Sequence, residues 1–422
     1  MTEHDERQDE EMEERAPATE ATESPHTGEE PAPRRHPHEV EPVETIATAR
    51  HVTHPHAAAV ASLGADEAAG GVVGGERRGS ARRFVAALLA ATFLLMAAVG
   101  AVNAIVDPYG VLGTGIYKLP EGGDRDIKVA LVNDLKQSPE LIILGSSRAR
   151  RVDPAYLQEK TGLRTFNMSV GGGRPSDSWA FVNLLHERFP QAGFRYLYLV
   201  DVESFTKLQL HPGLLNQPDL RRYFPSSELH SSRLQSSLWI FSWQTLRDSW
   251  SLVRADRTKA ERALKAKRRQ FRPDGYMLGG PQSERPLRQS KLDYSISEYE
   301  ELYRTDYTRL DPGAQEYFEK TLALLDELGG EGVVVITPMH PDVIAAIGPL
   351  GWDRRHHEVV DYLTGLQPTY GFTLVDLATI DTFGGDPQGF NDGVHMKPDN
   401  LTKMIDTVLA RSDQLDGSGP PP

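Results

Sequence analysis

An uncharged apolar segment from Phe84 to Val106 limits what this chain can fold into more than any other feature of its sequence. Its length of roughly 23 residues is enough for a helix to cross the ~30 Å hydrocarbon core of a membrane. Asp107 ends the segment, and four arginines lie just before it: Arg77, Arg78, Arg82 and Arg83. Because cytoplasmic flanks carry the excess of Lys and Arg, we predict a single-pass cell-membrane protein. Its N-terminus would be cytoplasmic, and the residues after Asp107 would be extracytoplasmic.

A buried core helix or a cleaved signal peptide would also contain such a segment. A core helix of this length usually carries a polar stripe, whereas only Thr92 and Asn103 are polar here. The apolar region of a signal peptide spans about 7–15 residues. The present run is longer and follows a long tail, although Val102-Asn103-Ala104 resembles a cleavage site. A retained transmembrane helix at 84–106 is therefore the favoured prediction.

The two ends of the chain have compositions that do not support a folded core. Residues 1–80 are rich in Glu, Ala, Pro, Thr and His and contain almost no aromatic residues. Such a segment cannot bury enough apolar surface to offset the entropy of ordering it, so we predict a disordered cytoplasmic tail. Residues 412–422 are predicted to form a second disordered tail. The chain has no cysteine, which excludes a disulfide framework, a Cys-ligated zinc site and a thiol nucleophile.

Five short apolar runs between the tails predict β-strands, at residues 141–144, 165–167, 196–200, 333–336 and 373–375. Helical patterns cover residues 176–188, 312–328 and 399–411, with Asp311 and Asp399 as expected N-caps. Wholly apolar strands that alternate with helices indicate a parallel sheet covered on both faces. We therefore predict an extracytoplasmic α/β domain over residues 107–411. It would begin with an extended linker at 107–125 and contain an insertion with its own helices at about 205–310.

Three patches are placed where such a sheet would build a site, at the carboxyl ends of its strands. They are Gly145-Ser146-Ser147-Arg148 after the first strand, residues 167–173 after the second, and Asp392-Gly393-Val394-His395 before the last helix. A serine on a tight turn exposes its hydroxyl, and glycines offer N–H donors to a developing oxyanion. A carboxylate three residues before a histidine can orient the imidazole toward a serine. The order and placement of these patches predict a serine-centred site.

The three blocks, in this order, resemble those of the SGNH (GDSL-like) hydrolase superfamily. The nearest resemblance is to its membrane-anchored branch, which includes alginate O-acetyltransferase components and the teichoic-acid D-alanylation protein. It implies a three-layer α/β/α, flavodoxin-like domain over about residues 125–411. Ser147 matches the nucleophile of the family's Gly-Asp-Ser block, with Ser146 as the alternative, and Asp392 and His395 match its Asp-x-x-His block. The oxyanion hole would use the backbone N–H groups of Ser147 and Gly172.

One block departs from the family pattern. Where the family has Gly-x-Asn-Asp after the third strand, this chain has Asp201-Val202-Glu203-Ser204. An ionised Glu203 cannot donate to an oxyanion, and losing one side-chain donor costs about 10²–10³-fold in rate in other enzymes. A slow transferase and a catalytically silent relative both fit this pattern. The residues expected to line the site around the triad are Ser146, Arg148, Asn167, Asp201, Glu203 and His340.

The resemblance implies a serine esterase or O-acyltransferase that acts on cell-envelope polysaccharide or a related polymer through an acyl-serine intermediate. It implies no cofactor and no metal. The expected partners are the membrane, an envelope glycan or anionic polymer, and a multipass protein that delivers acyl groups. Nucleic acid is not expected, because the domain would lie outside the cell. The alternatives are a catalytically silent, membrane-tethered glycan-binding or scaffold protein on the same fold, and a lipase.

Two further patterns lie in the predicted insertion. Trp239, Trp243, Leu246 and Trp250 recur at helical spacing. They predict either packing, or a lid or aromatic surface for a sugar or the membrane interface. Residues 254–272 are strongly basic, which is typical of a solvated face and also of a segment that holds anionic polymers or lipid headgroups.

Overall fold

A five-stranded, all-parallel sheet organises the fold, in the strand order β2-β1-β3-β4-β5. The computed structural model describes residues 73–108, 112, 123–229, 232, 238–254, 262, 265–279 and 285–416. The strands are β1 (Leu141–Gly145), β2 (Thr165–Asn167), β3 (Arg195–Val200), β4 (Gly332–Ile336) and β5 (Thr373–Asp376). The predicted mixed α/β class with a central parallel sheet is confirmed.

Helices precede and connect these strands. They are α1 (Val73–Val106), α2 (Asp124–Asp134), α3 (Pro154–Thr161), α4 (Pro175–Arg188), α5 (Pro212–Asn216), α6 (Pro218–Arg221), α7 (Trp243–Arg254), α8 (Gln289–Thr305), α9 (Pro312–Glu327), α10 (Pro341–Ile347), α11 (Trp352–Tyr370) and α12 (Pro398–Arg411). Short 3-10 helices lie at Val202–Phe205, Leu238–Phe241, Gly348–Leu350, Ile380–Phe383, Pro387–Gly389 and Asp413–Leu415. Helices α5 to α8 lie within the predicted insertion, which therefore does have helices of its own.

Both faces of the sheet are buried. Along β1, Ile142 and Leu144 belong to one hydrophobic core, whereas Leu141 and Ile143 belong to another. The first core includes residues of α4 and α9, and the second includes residues of α3 and α12. Successive strand side chains point to opposite faces of a sheet. The two cores therefore explain why the strands are wholly apolar instead of alternating with polar residues.

Helix α1 contains a stretch that is long and apolar enough to cross a membrane. This stretch, Ala81–Val106, has 26 residues and a mean hydropathy of 2.4, and only 6% of its most apolar window is buried. A helix in the core of a soluble protein would be mostly buried. The exposure of α1 therefore favours the predicted transmembrane helix over the buried-core alternative.

The predicted strands and helices agree closely with the structure, with one local exception. Each observed strand extends its predicted range by at most one residue. Helix α9 begins after Asp311, whose carboxylate accepts hydrogen bonds from the next N–H groups. The prediction that Asp399 is an N-cap is wrong, because Lys397 occupies that position and Asp399 lies in the first turn of α12. An acidic residue is favoured there by the helix dipole, and a first-turn Asp resembles a cap in the sequence.

The predicted ends of the folded part are also corrected. Helix α1 begins at Val73, inside the tail predicted for residues 1–80; residues 1–72 lie outside the described part. Residues 412–416, predicted as part of the second tail, are folded: Leu415 is fully buried in a 3-10 turn, and Arg195 donates to the Asp416 carbonyl. Residues 417–422 and most of the predicted linker at 107–125 lie outside the described residues.

Candidate active site

Ser147 lies on a tight turn directly after β1, which we call the serine turn (residues 145–148). Gly145 has a φ of 142°, in a region that residues with a Cβ rarely adopt. A Cβ at this position would lie 2.6 Å from the carbonyl oxygen of Leu199 in β3. Glycine is therefore required where the chain leaves the sheet. The turn places Ser147 at the carboxyl end of β1 with its side chain partly exposed.

Three side chains from two distant parts of the sequence form one hydrogen-bonded series. The Ser147 Oγ lies 2.8 Å from His395 Nε2. The other ring nitrogen, His395 Nδ1, lies 2.8 Å from Asp392 Oδ2 and 3.0 Å from Asp392 Oδ1. This is the geometry in which a histidine can take a proton from a serine while a carboxylate holds the ring.

The protonation state of Asp392 sets the direction of these hydrogen bonds. Its Oδ1 also accepts from the N–H groups of Val394 and His395, each at 2.9 Å. Burial raises the pKa of Asp392, but the hydrogen bond and the electrostatic attraction from His395, together with the two backbone bonds, outweigh burial and lower the pKa to about 2. An ionised Asp392 only accepts, so His395 Nδ1 donates to it. The Nε2 of neutral His395 is then free to accept from the Ser147 hydroxyl.

Arg148, the residue after Ser147, is a buried clamp that fixes the serine turn. Its Nη2 donates to Glu203 Oε2 and to the Tyr299 hydroxyl, each at 2.9 Å. Its Nη1 donates to Thr337 Oγ1 at 3.2 Å, and its Nε lies 3.5 Å from Asp201 Oδ1. Burial lowers the pKa of Arg148, but Asp201, Tyr299 and Glu203 raise it well above its usual value. The serine turn is thereby tied to the ends of β3 and β4 and to helix α8.

Helix α8, from the insertion, contacts both halves of the site. Tyr299 accepts from Arg148, and the Tyr303 hydroxyl donates to Glu203 Oε1 at 2.9 Å. One turn earlier, Ser295 Oγ accepts from the N–H of Gly393 at 3.1 Å. Gly393 lies in the histidine loop (residues 391–395). One helix therefore supports the serine turn and the histidine loop together.

The two acidic residues after β3 both contact Arg148. Asp201 and Glu203 are both buried, and both face Arg148. Thr337 Oγ1 also donates to Asp201 Oδ1 at 2.6 Å. Neither residue lines the cavity beside Ser147; both are held against the Arg148 guanidinium.

Three other residues expected to line the site have structural roles instead. Ser146 is buried, and its Oγ accepts from the N–H of Arg148 at 3.2 Å, so its hydroxyl is directed into the turn. Asn167 is fully buried and donates to the Ala149 and Val152 carbonyls. His340 caps α10 through its ring Nδ1, and its backbone N–H donates to the Gly393 carbonyl at 3.0 Å. Of the six expected lining residues, Arg148 alone lines the cavity beside Ser147.

Gly172 lies in the glycine loop (residues 168–173), which packs on the serine turn. A Cβ at Gly173 would lie 2.7 Å from the Gly145 carbonyl oxygen, so only glycine allows this close approach. Gly172 has a φ of 58°, and its N–H has no acceptor among the described residues. Gly172 is not part of the lining of the cavity beside Ser147. Its role as an oxyanion donor stays a prediction.

A cavity of about 320 Å³ opens beside Ser147 and His395. Its lining is Ser147, Arg148, Arg150, Arg151, Met277, Lys291, Asn391, Asp392, His395 and Met396. Across the described residues, no carboxylate forms an ion pair with Arg151 or Lys291. Arg150 pairs with Asp124 at 2.6 Å, yet its buried Nε has no acceptor there. The lining therefore has four basic side chains and one acidic side chain, Asp392, and two of the basic ones, Arg151 and Lys291, form no ion pair among the described residues.

Sequence reasoning missed most of this lining. Arg150 and Arg151 follow the serine turn immediately, and this run of arginines was a signal that could have been used. Met277 is brought in by a turn of the insertion, because its N–H donates to the Arg150 carbonyl at 3.0 Å. The buried Lys128 fixes the same turn by donating to the Gly275 and Asn167 carbonyls, each at 2.5 Å. No local pattern in the insertion indicates these contacts.

No protein-family model and no curated protein sequence matches this chain. The geometry of the site is therefore what supports an assignment of function.

Proposed function

We propose that the chain is a membrane-anchored serine esterase or O-acyltransferase of the SGNH type. The observation that carries this proposal is the 2.8 Å contact from Ser147 Oγ to His395 Nε2, with Asp392 bound to the other ring nitrogen. The parallel strand order β2-β1-β3-β4-β5 is that of doubly wound, flavodoxin-like domains. The site lies at the carboxyl ends of the strands, where such domains bind ligands. Both features support the three-layer fold that the sequence implies.

The proposed reaction has two steps. His395 Nε2 takes the proton of Ser147 as Oγ attacks an ester carbonyl, and the protonated His395 then gives that proton to the leaving alcohol. In the second step His395 removes a proton from water or a glycan hydroxyl as that oxygen attacks the acyl-serine carbonyl. The bond to Ser147 Oγ then breaks, the protonated His395 returns its proton to Oγ, and the free acid or the acylated glycan is released. Asp392 stays ionised and stabilises the imidazolium in both steps. The N–H groups of Ser147 and Gly172 would stabilise the oxyanion.

The proposed location is the outer surface of the cell membrane. The exposed apolar helix α1 and the arginines before it support an anchor with a cytoplasmic N-terminus. The last turns of α1 pack on the folded domain, and Asn103 is fully buried there. Cleavage after Ala104 would remove these contacts, which favours the retained anchor over a signal peptide.

The test of the serine chemistry is labelling of the full chain in detergent with a fluorophosphonate probe. We expect the wild type to be labelled and Ser147→Ala to be unlabelled, because the probe needs a hydroxyl activated by His395. Ser146→Ala is the matched control, since Ser146 lies one residue away but contacts Arg148; it should retain labelling.

Absence of labelling in the folded wild type, where a known serine esterase reacts, would contradict the proposal. It would favour the catalytically silent binding protein instead. Labelling lost in Ser146→Ala but kept in Ser147→Ala would move the nucleophile to Ser146.

We also propose that the acyl acceptor is an anionic envelope polymer. Arg151 and Lys291 face the cavity without a carboxylate partner among the described residues. Burial lowers the pKa of Arg151, and nearby Arg150 lowers it further, while Tyr276 opposes them. An anionic group in the cavity would relieve this repulsion. The charged lining suits a polymer acceptor better than the long acyl chain of a lipase substrate.

Replacing Arg151 and Lys291 together with glutamine is expected to raise KM for an anionic oligosaccharide acceptor by about tenfold or more. The physical reason is the loss of charge-assisted hydrogen bonds, each worth roughly 1.5–3 kcal/mol. KM for a neutral acceptor of the same size should change much less. Arg164→Gln, at an exposed ion pair with Glu140, is the matched control. Equal changes for the two acceptors would contradict an anionic substrate.

A further inference from the structure

The first part of the apolar segment of α1 is exposed over most of the thickness of a membrane. The apolar segment begins after Arg83, and every residue from Phe84 to Ala98 is exposed; at 1.5 Å per residue these residues span about 22 Å of helix. The hydrocarbon core of a bilayer is ~30 Å thick. Burial against the domain begins at Val99 and Gly100. The folded domain therefore meets α1 in the last turns of its apolar segment, within about 8 Å of the level where the helix would leave the hydrocarbon.

The element that meets α1 at this depth is the segment that leads into α7. A Cβ at Gly100 would lie 2.6 Å from the ring of Phe241, so the ring packs directly on the helix. Asn103 Nδ2 donates to the Ile240 carbonyl at 2.5 Å, and Asn103 Oδ1 accepts from Ser249 Oγ at 2.8 Å. Packed helices lie about 8–10 Å apart. Helix α7 is thus held beside the last turns of α1.

Helix α7 has two different faces. Thr245 and Ser249 are buried toward the protein. Trp243, Arg247, Trp250 and Arg254 project from the opposite side, which we call the outer face of α7; Trp243 is 68% exposed and Trp250 is 57% exposed. The Arg254 guanidinium lies 4.3 Å from the centre of the Trp250 ring. Together with Val253, which is 41% exposed, the two tryptophans form an apolar patch, and exposed apolar patches beside polar residues mark sites of protein or membrane interaction.

Tryptophan and arginine together are the residues that favour the boundary between lipid and water. The indole ring occupies the headgroup level, and the guanidinium binds phosphate while its stem stays in apolar surroundings. Amphipathic helices of this composition lie in the plane of the membrane surface. A sugar or a second protein would also accept exposed tryptophan, but neither explains why this face lies at the end of α1.

We propose that the outer face of α7 lies in the headgroup region of the same leaflet from which α1 emerges, so that the domain rests on the bilayer through two elements. This inference rests on the proposed membrane anchoring of α1. Trp243 and Trp250 would contact lipid, and Arg247 and Arg254 would contact phosphate groups. The contacts of Asn103 then fix the angle between the transmembrane helix and the helix on the surface.

The test uses the full chain in phospholipid vesicles. The chain has no cysteine, so a single introduced cysteine gives a unique site for a fluorophore. We would label Trp250→Cys and two controls: Phe93→Cys in α1 and Tyr294→Cys in α8, which are 72% and 64% exposed. Quenching would be measured with phosphatidylcholine that carries a nitroxide either on the headgroup or at the end of an acyl chain.

We expect the headgroup nitroxide to quench the label at position 250 at least threefold more than the label at 294. The acyl-chain nitroxide should quench the label at 93 most strongly. If the headgroup nitroxide quenches the label at 250 no more than the label at 294, while the label at 93 is quenched, the inference is overturned and the anchoring of α1 still holds. Absence of quenching at position 93 would overturn the anchoring, and the inference with it. Fluorophosphonate labelling is measured separately and does not depend on either result.

Discussion

Replacing Asp392 with asparagine is expected to lower the rate of serine acylation by about 10⁴-fold, as in the Ser-His-Asp template. The amide Oδ1 can still accept from the Val394 and His395 N–H groups, which Asp392 binds at 2.9 Å, so the loop should keep its shape. The amide nitrogen, however, favours the His395 tautomer whose Nε2 carries the proton. That nitrogen can no longer accept from Ser147 Oγ. The measurement is the rate of fluorophosphonate labelling or of hydrolysis of a small ester.

Asp399→Asn is the control for this substitution, because Asp399 lies a few residues further along, in the first turn of α12. It should change the rate by less than about twofold, since it has no contact with the reacting groups. Both variants should unfold at similar temperatures. A loss below about tenfold in a folded Asp392→Asn protein would show that Asp392 does not orient His395 during the reaction.

Replacing Arg148 with methionine is expected to lower the free energy of unfolding by about 3–5 kcal/mol, the usual cost of removing one partner from a buried ion pair. Asp201 and Glu203 would be left as buried carboxylates without the guanidinium that lies 2.9 Å from Glu203 Oε2. Methionine fills a similar volume, so most of the loss of stability comes from the missing charge. The free energy of unfolding is measured by urea denaturation.

Two further variants separate the charge effect from a general packing effect. Arg164→Met removes an ion pair with Glu140 that is half exposed, and it should cost less than about 1 kcal/mol. Adding Glu203→Gln to Arg148→Met should recover part of the lost stability, because one of the unpaired charges is then gone. A double variant less stable than Arg148→Met would contradict the view that Arg148 neutralises these carboxylates.

The sequence was most informative where a local pattern carries the physical cause. The strands are buried on both faces, so their residues are uniformly apolar and could be located to within a residue. Asp392 and His395 lie three residues apart on one loop, and this spacing already indicated that they act together. The position of the site at the carboxyl ends of the strands followed from the parallel sheet.

Contacts that cross the insertion could not be predicted in this way. Glu203 is more than fifty positions from Arg148, and Tyr299 lies another hundred further along; no periodic pattern connects them. In the sequence alone, where the contact with Arg148 is not visible, Glu203 resembled a residue that had replaced an oxyanion donor. The structure shows a buried charge partner of Arg148 instead. Such pairings depend on three-dimensional packing, for which a single sequence has no local signal.

Helix α8 has a consequence for how this protein can be divided. A central sheet with a serine and a histidine at its edge suggests a minimal core from which surface segments can be trimmed. Here the segment that would be trimmed supplies Tyr299, which accepts a hydrogen bond from Arg148 of the serine turn. It also supplies Ser295, which accepts one from Gly393 of the histidine loop. The same insertion also carries α7 beside the last turns of α1. A shortened protein without the insertion would lose the contacts that position the serine turn and the histidine loop. It would also lose the contacts between the domain and α1, so the insertion is needed for both.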